Sequence, residues 1–191
     1  MGERGCGKSC LIKRYCEEKF VSKYIGTIGV DYGVKPLKLG DYDVKVNLWD
    51  MAGSPEYLEV RNEFYKDAQG AVLVYDVSNR DSFERLGDWL DESNRFGLNR
   101  GAVVVVAANK TDVGERHRAV KEVEGRAWAD RHGYPYFETS ACSGESVREM
   151  FHTLFARVVD RVPGLPPDLA DAARALELGA DPRNRRTSRP R

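Results

Sequence analysis

The residues whose spacing carries the most chemistry stand at the start of the chain. Gly2-Glu3-Arg4-Gly5-Cys6-Gly7-Lys8-Ser9 matches G-x-x-x-x-G-K-[ST] and runs directly into a helical pattern. Glycines let a backbone curl around an anion and turn its N–H groups inward. A helix N-terminus behind the loop adds the positive end of its dipole. Within such a cradle (Gly5, Gly7, Lys8, Ser9 and Cys10), the Lys8 ammonium is placed to bridge β- and γ-phosphates, and the Ser9 hydroxyl to coordinate Mg²⁺.

A second constellation lies about a hundred residues on. Asn109-Lys110-Thr111-Asp112 follows an apolar run ending at Ala108, the carboxyl end of a strand, where α/β sheets bind ligands. A carboxylate at Asp112 can accept from both guanine N1–H and the exocyclic amine, a donor pair that adenine lacks. A buried carboxylate left unpaired is costly, so the discrimination is steep. Asn109 and the Lys110 stem then brace the loop and cover the ring. Glu138-Thr139-Ser140-Ala141 follows the last strand, where the Ala141 N–H can meet guanine O6.

These loops need a scaffold, and the pattern supplies one. Apolar β-rich runs alternate with amphipathic helical stretches, which predicts an α/β fold with a mostly parallel sheet covered on both faces. Helical spacing covers Ser9 to Lys19, a short region near Leu58 to Tyr65, Ser82 to Phe96, Val120 to His132 and Ser146 to Arg161. Alternating strands run from Val30 to Leu39 and from Tyr42 to Asp50, and a further strand from Tyr134 to Thr139. Ala71 to Tyr75 and Ala102 to Ala108 are continuous apolar runs, of the kind buried on both faces. A phosphate loop should hang from a central buried strand, and none precedes Gly2, so the first central strand is expected to be missing.

Pro163-Gly164-Leu165-Pro166-Pro167 closes the last long helix, dividing the chain into a domain over 1–162 and a linker with a basic tail over 163–191. Asp168 to Leu178 has the composition for one short helix. The arginines of the last nine residues predict disorder, as a solvated terminus or a nuclear or nucleic-acid signal.

Composition bounds the rest. The 191 residues suit one domain, and 41% apolar content is enough for a full core. Thirty basic residues balance thirty acidic ones, so no nucleic-acid partner is expected from total charge. Cys6, Cys10, Cys16 and Cys142 form no C-x-x-C pair and no metal-ligand spacing, which fits reduced thiols in an intracellular protein. No signal peptide or spanning segment stands out, so the expected location is cytoplasmic, with a nuclear alternative resting on the arginines.

From Gly2 to about Arg161 the chain resembles the Ras-like small GTPases, P-loop NTPases with a three-layer α/β/α architecture, and within them the Rab branch. Thr27-Ile28-Gly29-Val30-Asp31-Tyr32 is similar to the Rab switch I signature. Trp49-Asp50-Met51-Ala52-Gly53 resembles the W-D-T-A-G of switch II, with Met51 in place of threonine. Phe64-Tyr65-Lys66-Asp67-Ala68-Gln69-Gly70 and Val74-Tyr75-Asp76-Val77-Ser78-Asn79 are also Rab-like. Ile12 to Val34 and Asn62 to Gly70 resemble most the Rab-like subfamily that carries a C-terminal DnaJ domain.

The resemblance implies a GTP/GDP switch with Mg²⁺ held by Ser9, Thr27 and Asp50. Thr27 would also touch the γ-phosphate through its backbone, and the Gly53 N–H would reach it. Phe20 would pack against the base, Tyr24 would close over the phosphates, and Ser140, Ala141 and Cys142 would complete the base loop. Effector and regulator proteins would bind through switch I and switch II.

Five departures qualify this. Ser54 stands where the family has the glutamine that orients the attacking water, and a serine hydroxyl falls several ångströms short of that reach. Arg4 replaces a small residue in the phosphate loop, where it obstructs a partner's arginine finger or itself reaches the γ-phosphate. Cys142 replaces the lysine of the S-A-K motif. No cysteine follows Cys142, so no prenylated C-terminal anchor is expected, and no His-Pro-Asp tripeptide signals a working J domain. The expectation is a GTP-binding switch with slow hydrolysis. A pseudo-GTPase interaction module and a non-functional fragment are the alternatives.

Overall fold

In the computed structural model, which describes residues 1–22, 25–98 and 101–179, the elements follow the expected order. They are α1 (Lys8–Glu17), β1 (Val30–Leu39), β2 (Tyr42–Met51), α2 (Leu58–Arg61), β3 (Gly70–Asp76), α3 (Arg80–Glu84) and α4 (Leu86–Arg95). Then come β4 (Val103–Asn109), α5 (Glu122–Arg131), β5 (Tyr136–Thr139), α6 (Val147–Arg161) and α7 (Pro167–Glu177).

β3, β4 and β5 pair in parallel, with Val74 opposite Ala107 and Ala108 opposite Glu138. Strand side chains alternate between faces, so each apolar run feeds two cores. Leu73, Tyr75, Val104, Val106 and Ala108 pack with Phe83, Leu86, Trp89 and Leu90 of α3 and α4 and with Ala129 of α5. Val74, Val103, Val105 and Ala107 pack with Leu11 and Tyr15 of α1 and with Met150, Phe151 and Leu154 of α6. Two helical layers therefore sandwich the strands, as the continuous apolar runs require.

The single sheet expected is instead divided. β1 and β2 form an antiparallel pair in register Val30 opposite Met51, and they stand as a separate sheet. Among the described residues, the edge of β3 away from β4 is met by Met1: its nitrogen donates to the Val72 carbonyl at 2.8 Å, and its carbonyl accepts from the Val74 N–H at 2.9 Å. α1 packs against both sheets. Its Ile12 and Cys16 pack in the same cluster as Val46, Leu48 and Val74.

The helix expected over Ser82 to Phe96 is two. Arg85, at φ −83° and ψ 4°, breaks it between α3 and α4, and its guanidinium lies 3.2 Å from the Glu3 carboxylate in the first loop. The Asn79 side chain caps α3 by accepting from the Ser82 N–H at 3.3 Å.

Pro167 opens α7 at a position where a missing N–H costs nothing. Leu169, Ala173 and Leu176, spaced for one helical face, bury against Leu39 and Ala156. The Tyr42 hydroxyl donates to the Asp168 carboxylate at 3.1 Å, and Arg174 pairs with Asp160 at 3.0 Å. The short helix expected over Asp168 to Leu178 is thus present and is fastened to α6 and to the β1–β2 hairpin. The arginine-rich tail from Asp181 lies outside the described residues. Among the described residues no helix is long and apolar enough to cross a membrane.

Two predictions test this packing. Leu176→Ala, at a side chain 3% exposed, should lower unfolding free energy in urea by about 2–5 kcal/mol; an unchanged midpoint would mean that α7 is not part of the cooperative unit. The second concerns His152 on α6, whose ring meets the Tyr15 ring edge-on at 5.9 Å. Burial, reinforced by the Arg148 charge, brings its pKa down to about 4. Below pH 6.5 the unfolded chain takes up a proton that the folded chain refuses until about pH 4, so this group removes stability as pH falls across that window. His152→Phe should therefore lose less stability between those two pH values than the parent chain does. Equal losses in a pH series of urea melts would refute the assignment.

Candidate functional site

The first loop is built as an anion cradle. Gly7 takes φ 95° and ends the loop at α1, whose first turn has neither a side-chain cap nor an acidic residue. Its N–H groups are thereby left for an external anion. A side chain at Gly7 would place a Cβ 2.3 Å from Asn109 Nδ2, so only glycine fits. Lys8 Nζ lies back along the loop, donating to the carbonyls of Gly2 at 2.7 Å and Glu3 at 2.9 Å.

Three oxygen-bearing side chains converge beside it from three elements. Ser9 Oγ on α1 lies 3.0 Å from Thr27 Oγ1, which donates to Asp50 Oδ2 at 3.1 Å. Asp50 is 6% exposed, and its Oδ1 is buried with no hydrogen-bond partner. Two hydroxyls and a carboxylate with a spare buried oxygen are a hard donor set, and they fit Mg²⁺. Among the described residues no group of three His, Cys, Asp or Glu side chains is placed to hold a metal, so this set is the candidate cation site. Gly53, just beyond β2, lies so close to the first loop that a Cβ would be 2.4 Å from the Arg4 nitrogen.

The other wall comes from the loops after β4 and β5. Asn109 is 1% exposed. Its Nδ2 donates to the Cys6 carbonyl at 2.8 Å, and its Oδ1 accepts from the Ala141 N–H at 3.3 Å. Lys110, in left-handed backbone at φ 71°, pairs with Asp76 Oδ2 at 2.6 Å, which lays its stem along the cavity. Asp112 Oδ1 accepts from Ser140 Oγ at 2.6 Å.

A cavity of about 330 Å³ opens among these loops. Gly5, Gly7, Lys8, Ser9, Cys10, Phe20, Thr27, Gly53, Asn109, Lys110, Asp112, Ala141 and Cys142 all line it, and Arg4 does too. Two expected residues stand behind the wall. Ser140 is fully buried and orients Asp112, and Asp50 is reached through the hydroxyls of Ser9 and Thr27. Ser54 does not line the cavity; its carbonyl accepts from Arg61 Nη1 at 2.6 Å. Tyr24 lies outside the described residues.

Sequence reasoning gave no role to Asp76, Arg14 or Arg61. The signal for Asp76 was available, because it directly follows the apolar run Ala71 to Tyr75, at the carboxyl end of a strand; the structure sets it opposite Asn109. Arg14 has none: its Nε and Nη2 donate to the carbonyls of Ala141 at 2.8 Å and Cys142 at 2.6 Å, from 127 and 128 residues away.

Comparison with known proteins agrees with this geometry. The model of the Ras family matches residues 1–160. DnaJ homolog subfamily C member 27 of Rattus norvegicus and that of Homo sapiens are each 53% identical over 164 residues, covering 84% of this chain and 60% of theirs. The Gallus gallus protein of that name is 47% identical over 197 residues, covering 95% of this chain and 72% of its own. The chain thus spans about 60% of the length of the mammalian relatives. These relatives meet the likeness to the DnaJ-bearing Rab-like subfamily that the motifs suggested. With its phosphate loop, its hydroxyl–carboxylate set and its base loop drawn around one cavity, the chain belongs to the Ras family of small GTPases, guanine-nucleotide-binding switches that take Mg²⁺.

Proposed function

We propose that this chain is a Rab-type guanine-nucleotide switch whose GTP-bound form is recognised by partner proteins and whose intrinsic hydrolysis is slow. The observation that carries the reading is the convergence of Ser9, Thr27 and Asp50, with an unpartnered buried carboxylate oxygen, beside Lys8 in the first loop. Mg²⁺ supplies charge neutralisation at the phosphates when bound. The first-turn N–H groups of α1 and the Lys8 ammonium bind the phosphate oxygens, and the Gly53 N–H meets the terminal one. Asp112, with one oxygen held by Ser140, keeps the other for guanine N1–H and the amine. Phe20 and the Lys110 stem flank the ring, and the Ala141 N–H serves O6.

Slow turnover follows from what is near the terminal phosphate. A water there must be oriented and partly deprotonated for attack. Ser54 has a short side chain, and its backbone is drawn by Arg61 away from the cavity wall. Arg4 occupies the approach that a partner's arginine would use. The reading of an interaction module that holds nucleotide without cycling is favoured by the same Ser54.

Recognition has a surface suited to it. Tyr32 on β1, Trp49 on β2 and Phe64 form a chain of rings with centroids 4.6 and 4.8 Å apart. Tyr32 and Trp49 are about half exposed, and Ile28 is more so. This path joins the segments on either side of Gly53 and Thr27, so a protein bound on it senses both.

Freshly purified protein, denatured and resolved by chromatography, should release near-stoichiometric guanine nucleotide, and a nucleotide-free protein would refute the switch. Asp112→Ala should weaken guanine nucleotide binding by about a hundredfold or more while leaving inosine nucleotides less affected, read by competition titration. Ser54→Gln should raise single-turnover hydrolysis by at least about tenfold. Fast hydrolysis by the parent chain, or none gained by the variant, would remove the argument from Ser54.

A further inference from the structure

Arg61 is an ionised side chain only 4% exposed, a placement that proteins tolerate when the charge is fully engaged. Its Nε and Nη2 donate to the two oxygens of Glu92 on α4, each at 2.6 Å, a planar bidentate pair. The Tyr65 hydroxyl donates to the same carboxylate at 2.7 Å. Burial pushes the Glu92 carboxyl up, but the hydrogen bonds from Arg61 and Tyr65 outweigh it and hold the group below its usual range. The remaining guanidinium nitrogen, Nη1, donates back to the Ser54 carbonyl at 2.6 Å and toward the Ala52 carbonyl at 3.4 Å. Those two carbonyls bracket Gly53, the residue packed on the first loop.

The anchor itself is held at both ends. The guanidinium lies over the Trp89 ring, 4.7 Å from its centroid, and Trp89 Nε1 donates to Glu3 in the first loop at 3.0 Å. Arg85 of the same α3–α4 region pairs with that Glu3 carboxylate at 3.2 Å. The first loop and the start of switch II are thus both tied to one helix, and none of these ties uses a group that a nucleotide would contact.

We propose that Arg61, held by Glu92, is a latch that fixes segment 52–64 in one conformation whichever nucleotide is bound, so that sensing of the γ-phosphate falls on the segment around Thr27. This rests on the switch reading above and makes it one-sided. In a two-sided switch, both segments relax when the γ-phosphate leaves. Here the carbonyls beside Gly53 keep their partners in either state, so loss of the phosphate at the Gly53 N–H leaves that segment held, whereas the Thr27 hydroxyl and backbone are themselves the contacts that are lost. The latch also turns the Ser54 carbonyl toward α2, which fixes that residue away from the cavity irrespective of state. Arg61 is a positioning residue in this scheme and does not touch substrate.

Hydrogen exchange on the full chain tests it, with the protein loaded with GDP and with a non-hydrolysable GTP analogue. Exchange over 52–64 should agree within about twofold between the two forms, while residues 25–29 should differ by at least about tenfold. The double variant Arg61→Met, Glu92→Leu removes both charges together and keeps apolar volume, so the fold has no stranded charge to accommodate. In it, exchange over 52–64 should rise at least about tenfold in the GDP form and become nucleotide-dependent, with α5 unchanged. A nucleotide-dependent 52–64 in the parent chain, or unaltered exchange in the double variant, would overturn the latch. A chain that takes up no nucleotide sinks the switch reading instead, and the latch is then judged by the same comparison of parent and variant without nucleotide.

Discussion

The site depends on one buried amide. Asn109 ends β4 and reaches across to the Cys6 carbonyl with its nitrogen and to the Ala141 N–H with its oxygen. Three loops separated by 103 and 32 residues in sequence are thereby joined at one side chain. A side-chain amide donates at one end and accepts at the other, which is what these two backbone groups require. Deep burial makes both bonds obligatory, because either backbone group left alone there costs about 1–3 kcal/mol. Gly7 is bound to the same requirement: any side chain on it would collide with the amide.

What lets Asn109 sit there is the sandwich beneath it. β3 and β4 are buried on both faces, so their carboxyl ends emerge at a fixed height, Asp76 opposite Asn109. Asp76 then aims Lys110, and Ser140 at the end of β5 aims Asp112. The base wall is therefore placed by rigid strand ends, while the phosphate wall hangs on α1 and the switch segments hang on β1 and β2. The base wall shares the β3–β4–β5 ladder, and the phosphate and switch walls are further held by α1 packing and by side-chain ties such as Arg85–Glu3 and Arg61–Glu92.

Element order and most boundaries could be read from the sequence because they follow from local periodicity; β1 runs from Val30 to Leu39 as the alternation said. Gly5, Gly7, Lys8 and Ser9 could be read because backbone-mediated phosphate binding demands glycines at fixed spacing, whereas Phe20, Thr27, Gly53 and Cys142 came only through the family resemblance. Two kinds of feature could not. The break at Arg85, whose guanidinium pairs with a carboxylate 82 residues earlier, is not encoded in the helical pattern. The Arg61–Glu92 pair looks in sequence like two solvated charges on two helices, and only tertiary packing tells a latch from a surface pair. The docking of α7 falls between these cases: its apolar spacing announced a helix, but not the face of α6 and β1 that it would cover.

Buried polar groups that are satisfied and those that are not have opposite consequences here. Arg61 has all three guanidinium nitrogens engaged by Glu92 and by the Ala52 and Ser54 carbonyls, so it holds its surroundings without a ligand. Asp50 Oδ1 has no partner and is buried, so the folded chain carries that cost until a cation meets it. A ligand that binds only the folded form adds stability in proportion to the logarithm of its concentration over its dissociation constant. The cation and nucleotide therefore stabilise the Ser9–Thr27–Asp50 corner, the part of the site with an unmet group. The corner built on Arg61 is already complete, which is the physical reason for expecting the two switch segments to respond unequally.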